Sequence, residues 1–400
     1  MLRLSRLIGS GFLLVCVLTF VAKLNGLPVG NGLVNLGIGP AVVPVELTFW
    51  YSTEKQQWLN EAAKRFTATN PTVNGQPITV NLVGLGSREM ALRVAAQEWG
   101  SDAAPTVISP ASTLQVGLLE REWAAKNGGT VVATGGNGPQ PLVLTPLVVV
   151  AWEERAKALW PNGPPAQAFW QDIHDALVDP KGWQGRGGLP QWGVVKFGHT
   201  SPATSNSGEQ ALVLLAYGYY NKTSGLSEGD IRNPEFQTWL RDVERSVPEF
   251  GDSTGTFMAS MVQYGPSKYD MVAVYENVAL QQIGTAQERW NQALRIYYPP
   301  ATLISEHPYV TLEAPWVAPE QQQAARVLRD FLLSEPIQRL ALESGFRPVN
   351  SAVSINDDVA NNPFISEAAS GVKADLGNLI EIPPAAVVAE LQQLWQTIIN

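Results

Sequence analysis

Apolar runs that end in small polar residues, followed at once by helical spacing, recur along this chain. The fullest example lies between Trp192 and Gly208, where Val194, Val195 and Phe197 predict a strand. From Gly208 to Tyr219 the apolar residues follow the spacing of a helix. The pattern therefore predicts a strand, a polar loop and a helix in direct succession.

The loop of this first junction is rich in side chains that hydrogen-bond: Thr200, Ser201, Thr204, Ser205, Asn206 and Ser207. Ser207 and Gln210 match a capping box, so we expect the helix to begin here with its free backbone N–H groups directed at the loop. Such a helix end attracts an anion or another strong hydrogen-bond acceptor. The loop is therefore a candidate ligand cradle, although the same residues would serve if they only capped the helix and closed a turn.

Four more strand-to-helix junctions carry small polar residues. They are the strand ending at 49–50 before Ser52, the strand 78–83 before Ser87, the strand 106–108 before Ser109 with Pro110 opening the helix, and the strand 271–274 before Tyr275. In open α/β sheets, ligands bind outside the carboxyl ends of the strands. We therefore expect the five junctions to contribute to one shared site.

Composition and charge indicate a globular protein and argue against one that binds nucleic acid. The 400 residues are 45% hydrophobic, which is enough for sizeable cores in two or three domains. Charged residues make up only 16%, and the formal net charge is -9. Because a nucleic-acid-binding surface needs clustered basic residues, the balance of charge argues against a nucleic-acid partner.

The N-terminus has the layout of an export signal. Arg3 and Arg6 precede an apolar stretch over 7–22, and Lys23 follows it. An uncleaved membrane anchor is favoured because no small-x-small cleavage site follows closely, and a cleaved signal peptide is the alternative. Cys16, the only cysteine, is expected to be a buried thiol in that stretch rather than a lipid attachment site. The exported part then has no intramolecular disulfide.

The order of elements predicts two lobes. Residues 1–24 are assigned to the signal or anchor and residues 25–45 to a Gly/Pro-rich spacer. Lobe 1 is expected to combine residues 46–145 with residues 302–400, and lobe 2 to comprise residues 146–301. The chain would cross between lobes near 146–151 and 300–306, and these crossings are expected to act as hinges that close a cleft.

Several segments together resemble a known family. They are the signal-like start, Phe49-Trp50-Tyr51-Ser52, the run from Thr106 to Ser112, the segment from Trp192 to Gly208, and Tyr275-Glu276-Asn277. The chain resembles bacterial extracellular solute-binding proteins, the two-lobed receptors of ABC-type importers, and within them the branch that includes molybdate-type binders. The resemblance extends over roughly 46–349.

That resemblance implies a two-lobe α/β fold, each lobe a mostly parallel sheet flanked by helices. It implies an extracytoplasmic receptor that binds a small molecule between its lobes and delivers it to a membrane permease, with no cofactor and no catalysis. The ligand would be held by hydroxyl, amide and backbone N–H groups, which here are Ser52, Ser87, Ser109, Thr204, Ser205, Asn206 and Ser207, with Tyr275 opposite. A monomer is expected, tethered through residues 7–22 if the anchor is retained.

The sequence leaves the ligand class open. An oxyanion is favoured, because neutral hydroxyl and N–H dipoles can hold one in a dry site. A sugar would stack on flat aromatic rings, for which Trp50, Tyr51, Trp152, Trp192 and Tyr275 are candidates. An organic cation is the third possibility if Glu276 or Glu153 points into the cleft.

Two other classes of function also remain. One is a membrane-tethered sensory or scaffold domain that uses the same fold to contact another envelope protein. The other is a hydrolase in which His199 activates a nearby serine, since a base beside a hydroxyl can generate a nucleophile. The sequence carries no H-E-x-x-H, Walker loop or G-x-S-x-G motif, which weighs against an enzyme.

Overall fold

The computed structural model describes residues 43–400. The predicted anchor at 7–22, Cys16 and most of the predicted spacer lie outside this range. Within the described residues, no helix combines the length and apolar character that a membrane crossing requires.

Strands and helices alternate along most of the described chain. The strands are β1 (Val45–Ser52), β2 (Thr72–Val73), β3 (Gln76–Leu85), β4 (Val107–Ser109), β5 (Gln140–Pro141), β6 (Val143–Trp152), β7 (Phe197–Gly198), β8 (Met271–Tyr275), β9 (Leu294–Tyr297), β10 (Ala301–Thr302), β11 (Ile304–Ser305), β12 (Pro308–Thr311), β13 (Arg347–Pro348) and β14 (Asn378–Leu379). The α-helices are α1 (Gln56–Ala68), α2 (Ser87–Ala96), α3 (Thr113–Asn127), α4 (Glu153–Leu159), α5 (Phe169–Leu177), α6 (Asn206–Tyr220), α7 (Glu228–Ile231), α8 (Pro234–Arg245), α9 (Thr254–Tyr264), α10 (Glu276–Trp290), α11 (Pro319–Leu332), α12 (Glu335–Glu343), α13 (Pro363–Ser366) and α14 (Ala385–Ile399).

Lobe 1 is built on a six-stranded sheet in the order β2-β3-β1-β4-β12-β5. Strands β3, β1 and β4 are parallel, whereas β12 returns antiparallel beside β4. Along β1 the side chains alternate between the two faces of the sheet, as the twofold period of a strand requires. Leu47 and Phe49 pack with α1, α11 and α12 on one face, and Trp50 packs with α2 and α3 on the other. Both faces of the sheet are therefore buried.

Lobe 2 is built around β6, which hydrogen-bonds antiparallel to β8, β9, β11 and β13. Only β7, beside β8, adds a parallel pair to this sheet. The two-lobe α/β fold is confirmed, but the sheet of lobe 2 is less parallel than expected. The reason is that the four strands paired with β6 run in the direction opposite to β6.

The chain crosses between the lobes on neighbouring strands. At the start of β6, Leu142 and Val143 belong to the core of lobe 1, whereas Leu147 onward belongs to the core of lobe 2. The return crossing at β11 pairs with this point, since Ser305 lies opposite Thr145. The predicted crossings, near 146–151 and 300–306, and their action as hinges stay predictions.

The C-terminal region differs from the expected division of the chain. Residues from 319 to about 346 pack in the core of lobe 1, as expected. After β13, however, Phe364, Leu391 and Trp395 join the core of lobe 2. The assignment of all of 302–400 to lobe 1 is therefore wrong for its last fifty or so residues. Helix α14 instead covers α6, α7 and α8, whose apolar faces it buries.

Local predictions failed at three helix or strand ends. Ser207 does not cap α6: the N-cap is Ser205, and its side chain makes no capping bond. Pro110 does not open α3, which begins at Thr113. The predicted strand through Val194 shrinks to β7, since Val194 is 64% exposed.

Candidate functional site

The starts of helices from both lobes meet between the lobes. Lobe 1 contributes the helical segment that follows Ser52 and the starts of α2 and α3, and lobe 2 contributes the starts of α6, α9 and α10. Contacts described below connect all six starts. At none of them does the N-cap side chain accept a helix N–H: Ser52, Gly86, Ser112, Ser205, Ser253 and Tyr275. Their positive dipole ends therefore surround one region, which we call the interlobe site.

A buried ionic cluster forms the lobe 1 side of the interlobe site. Lys55 donates to Ser52 Oγ, lies 3.3 Å from Glu54 Oε1 and lies 3.1 Å from His307 Nδ1. Ser52 also hydrogen-bonds Glu54, and its Oγ lies 3.4 Å from the carbonyl oxygen of Ser109. Lys55 and His307 are fully buried, and Glu54 is almost so. The cluster is therefore shielded from bulk water.

The charges of this cluster determine its pKa values. Burial alone would raise the pKa of Glu54, but the Lys55 ammonium, His307 and Ser52 hold it well below its usual value. Burial lowers the pKa of Lys55 to about 8 against the opposing attraction of Glu54. Burial and the Lys55 charge lower the pKa of His307 to about 4. At neutral pH the cluster is thus a Glu54–Lys55 ion pair beside a neutral histidine.

Two more predicted residues of lobe 1 lie beside this cluster. Ser109, at the end of β4, is fully buried, and its hydroxyl has no hydrogen-bond partner among the described residues. Ser87, the first residue of α2, accepts a hydrogen bond from the Ala111 N–H at 3.0 Å. Ser87 therefore holds the β4–α3 loop, whereas the Ser109 hydroxyl is buried and unpaired among the described residues.

Asn206 connects the two lobes. Its Oδ1 accepts hydrogen bonds from Ser112 Oγ at 2.7 Å and from Gln115 Nε2 at 3.0 Å, both on lobe 1. Its Nδ2 donates to the Tyr275 hydroxyl at 2.7 Å and lies 3.5 Å from Ser305 Oγ. Asn206 and Tyr275, which the sequence predicted on opposite sides of the site, are therefore in direct contact.

Hydroxyl groups continue the site across lobe 2. Ser207 Oγ lies 2.6 Å from Thr200 Oγ1, 3.1 Å from Ser205 Oγ and 2.5 Å from Thr254 Oγ1. This network explains why Ser207 does not cap α6, because its oxygen is engaged with neighbouring hydroxyls. Thr254 belongs to the start of α9, so the network links two helix ends.

Thr204 closes the lobes against each other. Its carbonyl oxygen accepts the backbone N–H groups of Arg88 at 3.0 Å and Glu89 at 3.2 Å, which open α2 in lobe 1. A Cβ at Gly86 would stand 2.7 Å from the same oxygen, so only glycine permits this approach. Thr204 Oγ1 donates to the carbonyl oxygen of Asp252 at 3.0 Å. Thr204 therefore caps a helix of the opposite lobe through its backbone.

An ion pair reinforces the closed arrangement. Arg88 Nη1 of lobe 1 donates to Glu209 Oε2 of lobe 2 at 2.9 Å, and Gln115 Nε2 donates to Glu209 Oε1 at 3.0 Å. Asn277 Nδ2 of lobe 2 donates to the carbonyl oxygen of Glu54 at 3.1 Å. Glu54 and Glu209 are thus each matched by one cation, whereas Glu306 Oε1 accepts the backbone N–H of Thr113 at the start of α3 at 2.7 Å. The start of α3 is therefore already paired with a carboxylate, and the remaining starts contribute positive dipole ends.

Apart from Tyr275, the aromatic residues that were candidates for stacking on a sugar lie outside the interlobe site. Trp50 is buried in lobe 1 beneath the Arg93 guanidinium, 4.8 Å from the ring centre. Trp152 donates to the carbonyl oxygen of Tyr269 at 3.0 Å, and Trp192 stacks under Arg155 at 3.5 Å. Tyr51 packs in the core of lobe 1. These rings offer no exposed stacking face to a sugar between the lobes.

Both acidic candidates are neutralised outside the interlobe site. Glu276 is buried and pairs with Arg347 through two hydrogen bonds of 2.8 Å, and it also hydrogen-bonds Tyr298. Burial raises the pKa of Glu276 although Arg347 opposes the shift. Glu153 pairs with Arg295 at 2.8 Å. Neither carboxylate is placed to repel an anion or to attract an organic cation.

His199 is held as a structural residue. Its Nε2 lies 3.1 Å from both carboxylate oxygens of Glu244, and its Nδ1 lies 2.8 Å from the carbonyl oxygen of Thr200. Burial would lower the pKa of His199, but Glu244 outweighs it and raises the pKa. With both ring nitrogens engaged and no serine hydroxyl on either, the arrangement does not support the hydrolase hypothesis.

Sequence reasoning missed several residues of the site. Lys55 follows Ser52 by one helical turn, so the spacing S-T-E-K was a usable signal. Gln115, Ser305 and His307 carry no local signal that marks them as site residues. His307 adopts a positive φ of 45° between β11 and β12, a conformation that the sequence does not predict. Within residues 43–400, no group of three or more His, Cys, Asp or Glu side chains is arranged to hold a metal ion.

Comparison with known proteins identifies a family. Residues 47–347 match a family model described as bacterial extracellular solute-binding protein. No curated protein matches the chain.

Solved structures share the fold at low sequence identity. The sulfate-binding protein SubI from Mycobacterium tuberculosis H37Rv is 18% identical, with 87% of this chain and 96% of that chain covered and a TM-score of 0.53. A substrate-binding protein of an ABC transporter from Agrobacterium tumefaciens is 13% identical, with coverage of 90% and 96% and a TM-score of 0.57. The maltose/maltodextrin-binding domain MalE from Bdellovibrio bacteriovorus, bound to maltotriose, is 17% identical, with coverage of 88% and 94% and a TM-score of 0.54. These similarities establish the fold.

Proposed function

The chain belongs to the bacterial extracellular solute-binding proteins, the receptors of ABC-type transporters, and we propose that its own ligand is a small oxyanion bound at the interlobe site. The observation that carries the proposal is the meeting of helix starts from two lobes, at none of which the N-cap side chain accepts a helix N–H, in a region that includes the buried Lys55. Backbone N–H groups at helix starts and nearby hydroxyls bind anions because both present positive dipole ends.

The polar groups of the site support an anion of small size. Glu54 and Glu209 are matched by Lys55 and Arg88, and Glu306 is held by the Thr113 N–H, so the remaining helix starts and the hydroxyl groups are the donors offered to a ligand. The hydroxyl of Ser109 has no partner among the described residues and would donate to the ligand. The lobes already touch through Asn206, which leaves no room for an extended ligand in the closed form.

The hypotheses of a sugar ligand and of a cationic ligand rested on aromatic rings and carboxylates that, apart from Tyr275, do not face the interlobe site. Four of the five candidate aromatic residues serve burial or stack on arginine, as described above. Both candidate carboxylates are paired with arginine. A neutral hydroxyl-rich site can still bind a polyol, so the direct test includes one.

Isothermal titration of the protein with sulfate, molybdate, phosphate and maltose tests the proposal. We expect saturable binding of at least one oxyanion and none of maltose. Ser109→Ala, and separately Ser205→Ala combined with Ser207→Ala, should weaken that binding about tenfold or more, because hydrogen bonds to a charged ligand contribute about 1.5–3 kcal/mol each. Ser246→Ala is the matched control, since Ser246 Oγ donates to its own helix at 2.6 Å, to the Val243 carbonyl oxygen.

Two outcomes would overturn the proposal. One is saturable binding of maltose without binding of any oxyanion. The other is oxyanion binding that Ser109→Ala and the double variant leave unchanged, because the ligand would then lie outside the interlobe site.

A further inference from the structure

We propose that the C-terminal helix α14 positions the interlobe site, with Gln392 and Trp395 as positioning residues that favour closure of the lobes. These side chains are three positions apart and therefore share one face of the helix. Both are buried; Gln392 hydrogen-bonds the segment that carries Thr204 and the start of α6, and Trp395 hydrogen-bonds Glu244 of α8, which in turn contacts His199.

Gln392 holds both ends of the loop that reaches lobe 1. Its Nε2 donates to the carbonyl oxygen of Pro202 at 2.9 Å and to Glu209 Oε2 at 2.9 Å. Glu209 Oε2 also accepts the guanidinium of Arg88 from lobe 1. Gln392 thus orients the carboxylate before Arg88 binds it, and it fixes the loop two residues before the Thr204 carbonyl oxygen.

Trp395 supports the same loop from its other side. Its indole N–H donates to Glu244 Oε2 at 2.8 Å, and Glu244 in turn binds His199. His199 contacts the carbonyl oxygen of Thr200 at 2.8 Å, so the chain of contacts runs from α14 to the first residues of the loop. Phe250 packs between the two rings, 5.2 Å from His199 and 5.3 Å from Trp395 between ring centres.

Helix α14 thus contributes to ligand binding, although it lies far along the chain from the residues of the interlobe site. An open lobe pair loses the Arg88–Glu209 contact and the hydrogen bonds to the Thr204 carbonyl oxygen, whereas the contacts of α14 lie entirely within lobe 2 and persist. The α14 contacts therefore act by keeping the loop in the conformation that closure needs, which is preorganisation. The inference rests on the proposed function only in that closure is what completes the ligand site.

Amide hydrogen exchange of the ligand-free protein tests this role directly. The N–H groups of Arg88 and Glu89 donate across the interlobe cleft, so their exchange reports lobe opening. Gln392→Ala removes the hydrogen bonds to the Pro202 carbonyl oxygen and to the Glu209 carboxylate, and we expect these two amides to exchange about three to ten times faster, the size of a typical net hydrogen-bond contribution. Amides within the central strand, from 148 to 150, should keep their rates. Gln393→Ala, an exposed glutamine one position along the same helix, is the matched control and should change nothing.

Trp395→Phe provides a second variant that keeps an aromatic ring against Phe250 and removes the indole N–H together with part of the indole ring. We expect faster exchange at Ser201, whose N–H donates to the Gly251 carbonyl oxygen at 2.7 Å, and at Arg88. Unchanged exchange at Arg88 and Glu89 in both variants would overturn the proposal. Equal acceleration at 148–150 would also overturn it, because α14 would then only stabilise the fold. The measurement needs no ligand, so its result is independent of whether the oxyanion assignment holds.

Discussion

Replacing Lys55 by methionine should abolish a rise in stability with pH that the buried ammonium causes. The pKa of Lys55 falls from 10.5 in the unfolded chain to about 8 in the folded protein. Between these values the unfolded state binds one proton more than the folded state, so the free energy of unfolding increases as the pH rises. The full shift in the pKa of Lys55 corresponds to a gain of about 3 kcal/mol in the free energy of unfolding. About 2 kcal/mol of that gain falls between pH 8 and pH 9.5.

The assay is urea unfolding at pH 7.5, 8.0, 8.5, 9.0 and 9.5, with the free energy of unfolding compared among variants. The series stops at pH 9.5 because buried tyrosines such as Tyr275 have raised pKa values, and their unfolded forms ionise near pH 10. Lys64→Met is the matched control, since Lys64 lies in the same lobe with its side chain 77% exposed. The wild-type protein and Lys64→Met should gain stability over the series, and Lys55→Met should not.

Lys55→Met should also be less stable at pH 7.5, because it leaves the Glu54 carboxylate buried without its cation. Breaking a buried pair in this way costs about 3–5 kcal/mol. The reasoning is refuted if Lys55→Met keeps the same rise between pH 8 and pH 9.5 as Lys64→Met. In that case another group titrates, and the charge balance of the interlobe site has to be assigned differently.

Three further predictions follow from the same contacts. In Lys55→Met, the pKa of His307 should rise from about 4, because the Lys55 charge is one of its causes; NMR titration of the ring protons measures this, and an unchanged value contradicts it. Gly208→Ala should cost about 1–3 kcal/mol in urea unfolding, since its Cβ would overlap the carbonyl of the loop before α6, whereas Gly284→Ala, which meets nothing within 4 Å, should be neutral or stabilise by up to about 1 kcal/mol. Asn206→Asp should abolish oxyanion binding in calorimetry because it places a carboxylate at the meeting point of the lobes, and undiminished affinity would place the ligand elsewhere.

Much of the architecture follows from local pattern. Apolar alternation and helical spacing predicted the strands around Phe49, Leu82 and Val272 and the helix over 385–399, because burial on one face imposes a period that a short stretch of sequence displays. Small polar residues after the strands predicted where Ser52, Ser109, Thr204, Asn206 and Tyr275 would gather. Within each lobe, their gathering follows from the rule that the carboxyl ends of neighbouring parallel strands share an edge of the sheet. The meeting of the two groups depends on the contacts between the lobes.

Tertiary structure decided what those residues do there. Asn206 and Thr204 contact the opposite lobe, and Ser207 binds other hydroxyls instead of capping its helix. Lys55 and His307 meet across 252 positions of sequence, and no local pattern encodes such a contact. Glu276, which appeared able to repel an anion, is neutralised by Arg347 from a distant segment.

The sequence by itself thus determined most of the elements and the polar character of the junctions, since both depend on residues close together in the chain. Only the tertiary structure placed α14 on lobe 2, where Gln392 and Trp395 reach the loop before α6. The physical reason is that the apolar face of an amphipathic helix requires a partner surface but does not specify which one. Complementary packing with α6, α7 and α8 made that choice.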